Sequence, residues 1–222
     1  MTAVVSATDL WGVGCYDAPA GRVAWPIGNA EMHRDMGAAT RRLFALGIGS
    51  GSRVLFCSML SEAGQFWPWI VGTMLSGAQL SCADATEGDA ARVAVLLRHM
   101  RFDAVVGVND ALLDGCAARG VDHGELFAAV DVLAARPGAY ERLDAAGLAP
   151  RRFALVGPAV AMAAAPGEPA SVDPSEWRLE GHDDRVHITN LEPRATTFDR
   201  EPVAIDARVV DDGKAITWPS GH

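Results

Sequence analysis

Between residues 30 and 120 the apolar positions alternate between two spacings. Met32, Met36, Ala39, Leu43 and Leu46 recur every three or four residues, as one face of a helix does. Gly47 and Gly49 follow, where glycines end helices. The run RVLFCS, residues 53–58, is continuously apolar and bounded by Gly-Ser and Ser, so it reads as a buried strand. Helical spacing returns over 62–76, with Phe66, Trp67, Ile70 and Met74 on one side. Pro68 is expected to kink this helix or to lie in its first turn. A second strand is predicted at 78–82, and a helix at 89–100 on Val93, Leu96, Leu97 and Met100. A third strand is predicted at 104–107 and a short helix at 111–118. Strands without polar alternation, separated by helices, predict an α/β fold. Its mainly parallel sheet would have right-handed crossovers and helices on both faces.

Further along, 126–133 reads as helical and FALV, residues 153–156, as a fourth core strand. Residues 158–175 are rich in Ala, Pro, Gly and Ser and predict a linker or mobile loop. The pattern then becomes β-like at 185–191, 203–210 and 215–218. Asp211-Asp212-Gly213 is placed to turn a hairpin between the last two. Residues 1–29, with Trp11, Tyr16 and Trp25, read as an irregular arm laid over the core. The expected organisation is an N-terminal arm (1–29), an α/β core domain (30–165), and a linker with a small β-rich tail (166–222).

Composition narrows the function. Of 222 residues, 50% are hydrophobic, enough for one sizeable core. The formal net charge is −9, which argues against a nucleic-acid partner. The pairs Arg41-Arg42 and Arg151-Arg152 are short and read as solvated ends of elements. Lys214 is the only lysine, so lysine-dependent catalysis would need it or a partner's lysine. Cys15, Cys57, Cys82 and Cys116 form no C-x-x-C pair and read as free thiols of a reducing compartment, with Cys57 and Cys82 in the core. No signal peptide is recognisable. The longest apolar run, Phe66 to Leu75, is interrupted by Pro68 and Gly72 and is too short to span a bilayer. A cytoplasmic location without a membrane partner is expected.

The segment LFALGIGSGSRV, with Ser52 at a position that is usually acidic, resembles the beginning of adenylate-forming enzymes: acyl-CoA synthetases, phenylacetate-CoA ligases and peptide-synthetase adenylation domains. SMLSEAGQFWPWIVGTMLSGAQLSCAD and EGDAARVAVLLRHMRFDAVVGVND continue the resemblance. DDRVHITNLEPRATTFDR faintly echoes the phenylacetate-CoA ligase branch. The resemblance therefore covers residues 39–110 and a weaker tail. It implies a truncated N-terminal part of such an enzyme without the ATP-binding motifs. The family's Ser/Thr/Gly-rich phosphate loop, which ends in lysine, has no counterpart. Where it would fall, after FALVG, the chain reads PAVAMAAAPGEPA. Asp199 is the nearest candidate for the ribose-binding aspartate but lacks the preceding glycine. The C-terminal subdomain and its catalytic lysine are expected to be missing, and Lys214 reads as a solvated turn residue. No ATP-dependent ligase activity, cofactor or metal is therefore expected of this chain.

Other chemistries have little footing. There is no G-x-S-x-G elbow. Gly47, Gly49 and Gly51 precede a strand rather than follow one, so they are not a dinucleotide fingerprint. His182 and His187 flank Asp183-Asp184 without a further ligand cluster and read as surface polar residues, as do the isolated His99 and His123. The candidate binding residues are Ser58, Met59, Ser61, Gln65 and Trp67, just past the first strand, with Gly107 and Asn109 past the third. Ligands of open parallel sheets bind outside the carboxyl ends of the strands. An aromatic with amide and hydroxyl neighbours suits an acyl or aromatic small molecule. The competing reading of the same residues is a packed crossover helix capped at Ser61. No catalytic residue is nominated. The function expected is that of a degenerate, non-catalytic relative, a pseudoenzyme, acting as a binding or accessory subunit in a homo-oligomer or with a protein partner. The alternative is a small α/β enzyme acting on an acyl thioester or other small molecule at the carboxyl ends of the strands.

Overall fold

The structure is a computed structural model that describes residues 9–218. It opens with a hairpin of β1 (Leu10–Ala18) and β2 (Gly21–Gly28), where the sequence suggests only an irregular arm. Glycines 12 and 14 interrupt the alternation of β1 and obscure it. Helix α1 (Asn29–Ala45) follows directly and buries Met32, Ala39 and Leu43. It ends at Gly47, φ +79°, where the Gly47 N–H donates to the Phe44 carbonyl and the Ile48 N–H to the Leu43 carbonyl. Only a residue that adopts left-handed geometry without strain closes a helix this way. The chain then enters β3 (Arg53–Cys57), α2 (Ala63–Leu75) and β4 (Gln79–Ala83). Pro68 lies inside α2, beyond its first turn.

Next come α3 (Ala90–His99), β5 (Ala104–Val108), α4 (Asp110–Ala117), α5 (His123–Phe127), β6 (Val132–Ala135), α6 (Ala139–Ala145) and β7 (Arg151–Val156). The helix expected over 126–133 is instead the end of α5 followed by β6, a further parallel strand. Strands β4, β3, β5, β6 and β7 lie side by side in that order, all parallel. Alternate residues of β3 feed different cores. Val54 and Phe56 pack with Leu43, Phe66 and Trp69. Leu55 and Cys57 pack with Val93, Leu112 and Leu113.

The segment 158–175 is not a plain linker. It contributes β8 (Ala159–Met162), antiparallel to β7, and β9 (Ala170–Ser171), antiparallel in turn to β8, and both extend the sheet. The sheet is thus the expected parallel array of five strands with an antiparallel extension on one side. It ends with β14 (Ala215–Thr217) and β13 (Arg208–Val210), giving nine strands. The tail hairpin turns at Asp211–Gly213, as the sequence suggests, but it is shorter than 203–218. Val203 belongs to β12 (Glu201–Val203), which pairs with β11 (Arg185–Asn190) and, through it, β10 (Trp177–His182) in a separate antiparallel sheet. Cys57 is buried, whereas Cys82 is exposed on β4, the edge strand. Among the described residues no helix is long and apolar enough to cross a membrane.

Candidate functional site

From β3 the chain passes to β4 on one side, then returns to place β5 on the other. This reversal opens a crevice at the carboxyl ends of the parallel strands, where open sheets accept ligands. A cavity of about 280 Å³ lies there. Glu62 after β3, Asn109 after β5, Arg136 after β6 and Gly157 after β7 line it, and Tyr16 and Arg22 of the hairpin cover it.

Arg136 and Glu62 form its polar wall. The two terminal guanidinium nitrogens meet the two carboxylate oxygens at 2.6 Å each, a bidentate fork. Arg136 also lies 5.7 Å from the Phe66 ring centroid. Glu62 additionally accepts the Met59 N–H at 2.9 Å, so its carboxylate, and not Ser61, caps the turn that leads into α2. Arg22 is paired with Asp17 at 3.2 Å. Each cation of the cavity therefore already has a carboxylate partner. Tyr16 has its hydroxyl pushed up to about 12, by burial first and then by the nearby Glu201 carboxylate, 3.5 Å away. It stays protonated across the physiological range.

Gln65 is almost fully buried. Its amide nitrogen donates to the carbonyls of Cys15 at 3.0 Å and Gly157 at 3.1 Å, tying α2 to the hairpin and to the end of β7. Its Oε1 has no partner among the described residues. Gln65 also borders a larger cavity, about 490 Å³, between α1, α2 and the antiparallel strands. Asn109 caps α4 by accepting the Leu112 N–H at 3.0 Å and donates to the Ala85 carbonyl at 2.9 Å.

Of the seven candidate residues, Gln65 and Asn109 reach the crevice cavity. Ser58 holds the end of β3 to β4 through its N–H to the Ala83 carbonyl, 3.1 Å. Met59 starts the capped turn, and Ser61 is exposed. Trp67 points outward and packs on Trp11, ring centroids 5.9 Å apart. Gly107 is buried in β5. Sequence reasoning missed Glu62, Arg136, Tyr16 and Arg22. Glu62 and Arg136 are 74 residues apart, and nothing local marks them as a pair. The only signal was Arg136-Pro137-Gly138 closing an apolar run, as a strand end does.

Metal chemistry finds no cluster of three or more His, Cys, Asp or Glu among the described residues. His182 and Asp183 meet at 3.2 Å on the surface. Burial pushes the Cys57 thiol up to about 12, which makes it a core residue rather than a nucleophile.

Comparison with protein-family models and with curated proteins finds no match. Solved structures do match. An open conformation of 2-hydroxyisobutyryl-CoA ligase in complex with 2-HIB-AMP and CoA aligns over 96% of this chain and 56% of its own, with TM-score 0.69 and 16% identity. The N-terminal subdomain of NpsA from Klebsiella oxytoca, bound to 3-hydroxyanthranilyl-AMSN, aligns over 96% and 64%, with TM-score 0.62 and 12% identity. E. coli MenE aligns over 91% and 47%, with TM-score 0.55 and 9% identity. The chain thus has a fold shared with adenylate-forming enzymes and spans roughly half of their length. At these identities the likeness is one of fold.

Proposed function

We propose that this chain is a non-adenylating relative of the adenylate-forming enzymes that works as a ligand-binding or accessory subunit. One observation carries the reading. Val156 of β7 pairs with Ala159 of β8, so only Gly157 and Pro158 join the two strands. This is the place where the sequence resemblance puts the phosphate loop. Such a loop needs a run of free backbone N–H groups to cradle phosphates, and a two-residue turn containing a proline has almost none. The cavity beside it supports the same view, because Arg136 and Arg22 are already neutralised by Glu62 and Asp17. Without a free cation it lacks the charge stabilisation that phosphoryl chemistry demands.

Among the structures of similar fold, 2-hydroxyisobutyryl-CoA ligase is in complex with 2-HIB-AMP and CoA, and the NpsA subdomain is in complex with 3-hydroxyanthranilyl-AMSN. The ligand class proposed here is accordingly a small acyl or aromatic molecule, held at the strand carboxyl ends by Gln65 and its neighbours. The same reading takes the two apolar clusters as the two helix-covered faces of the sheet. It places the protein in the cytoplasm as a homo-oligomer or with a protein partner.

ATP–pyrophosphate exchange with the purified 222-residue chain and a panel of aryl and acyl acids tests it. No exchange above a protein-free control is expected, together with a thermal upshift by an acyl or aryl acid but not by ATP. Acid-dependent exchange would overturn the reading.

A further inference from the structure

We propose that the larger cavity, between α1, α2 and the antiparallel strands, is a binding site for a small amphipathic anion. The proposal concerns a different cavity from the strand-end site and does not depend on it. Its volume, about 490 Å³, lies in the range of small-molecule sites. Trp69 and Trp177, both largely buried, supply aromatic wall, and Pro68 and Val160 add to it. An apolar body of ring size or a short branched chain would be desolvated against this surface.

The charges at the rim are unevenly matched. Arg42, on the last turn of α1, is half-buried. Its guanidinium donates to the Ser171 carbonyl at 3.1 Å and to the Ser171 hydroxyl. It has no carboxylate within ion-pair distance among the described residues. Lys214 likewise makes no ion pair among them. Both residues line the cavity where β9 pairs with β14. Ala215, next to Lys214, is in register with Ser171, and the Val172 N–H donates to the Lys214 carbonyl at 2.9 Å.

The acidic groups of the cavity are mostly engaged elsewhere. Both oxygens of Asp35 are taken by Arg194, at 2.9 and 2.6 Å. Asp173 accepts from Arg41 at 3.4 Å and from Ser175. Only Asp211, exposed on the turn before Lys214, remains. Two cations thus face one solvated carboxylate, in a chain whose formal net charge is −9. The one carboxylate whose charge reaches Arg42 is Asp173, which is already paired with Arg41. A half-buried guanidinium with only a shared counter-ion beyond ion-pair distance is costly, and an anionic ligand would relieve that cost with charge-assisted hydrogen bonds. The ligand is therefore an anion with one apolar face. Its head is a carboxylate, sulfonate or phosphate monoester, which share this chemistry.

The test uses 8-anilinonaphthalene-1-sulfonate as a fluorescent probe on the full chain, with competition by octanoate, octyl sulfate, octyl phosphate and uncharged octanol. One saturable site is expected, displaced by the anions and not by octanol at equal concentration. The best competitor identifies the head group. Lys214→Met and Arg42→Met are each expected to weaken probe binding roughly tenfold. Lys214 is exposed on a turn, so that variant keeps the question answerable even if Arg42→Met misfolds. Trp67→Ala, outside the cavity, should leave binding unchanged. Equal affinity of Lys214→Met and wild type, displacement by octanol as efficient as by octanoate, or loss of binding in Trp67→Ala would overturn the proposal and put the dye on apolar surface.

Discussion

Gly107 has φ +92° and sits at a register shift in β5, between Val106 and Val108, which pair with neighbouring residues of β6. A methyl group there would lie 2.3 Å from the Cys57 carbonyl oxygen of β3 and 3.0 Å from the Phe66 ring. The residue looks like a ligand contact in the sequence because it follows the third strand. Its position gives it a packing task instead, since it lets α2 approach the sheet through Phe66. Gly107→Ala combines a strained backbone with a collision against main chain. A loss of roughly 2–4 kcal/mol is expected, read as a fall in the urea midpoint at constant slope. A variant within experimental error of wild type would show that the bulge relaxes freely.

At the scale of elements, α1 is clasped to the loop after β11. Arg194 donates to Asp35 on α1 and to Glu176 at 2.7 Å, and stacks over Trp177 with its guanidinium carbon 4.0 Å from the ring centroid. Arg34 binds the other oxygen of Glu176 at 2.6 Å. Burial raises the Asp35 carboxyl above its usual range, against the pull of Arg194. A group raised in the folded state contributes stability that is full below its unfolded pKa and is lost as pH rises through the native value. Removing Arg194 in Arg194→Met takes away the opposing pull, leaves the Asp35 carboxylate uncompensated and leaves the buried Glu176 with Arg34 alone. The variant should lose about 3–5 kcal/mol at neutral pH. Its deficit should shrink as pH is lowered toward about 4, where carboxylates begin to protonate. Chemical denaturation across that range checks this, and a pH-independent deficit would refute it.

The same scale explains what could be read without coordinates. Strands β3, β5 and β7 were legible because strands buried on both faces appear as unbroken apolar runs, whereas β4, a largely exposed edge strand, was legible from its place between two helices. β6 was not, because Val132-Leu133-Ala134-Ala135 lies only four residues past the apolar end of α5, with Ala128, Ala129 and Val130 between, and four residues do not establish a period. β8 and β9 were hidden by Ala, Pro and Gly that also mark loops. The candidate site was legible only as a place, the carboxyl ends of the strands. Its chemistry rests on the Glu62–Arg136 fork and the hairpin lid, contacts between segments far apart in sequence.

For the whole molecule, the decisive surface is the outer side of α2. The sequence leaves open which of Phe66, Trp67 and Trp69 faces out. Phe66 and Trp69 are buried, whereas Trp67 is 39% exposed beside Trp11. Along the same helix Met74 is 51% and Leu75 67% exposed, and Leu60, in the turn before it, is 88% exposed. α2 contains no charged residue at all. Two copies could therefore bring this face together about a two-fold axis without opposing like charges, despite the net charge of −9. A stable interface buries roughly 800 Å² per partner, which one apolar helix and the adjoining turn and β1 can provide. We therefore predict self-association through α2, with sedimentation equilibrium at micromolar concentration giving a mass above that of one chain. The double variant Trp67→Glu, Met74→Glu would set two carboxylates against their own copies across the axis and should sediment as a monomer while keeping its far-UV circular dichroism. A wild-type chain that sediments as a clean monomer at those concentrations would remove self-association, and a double variant that still dimerises would move the interface off α2, for instance to the exposed edge strand β4.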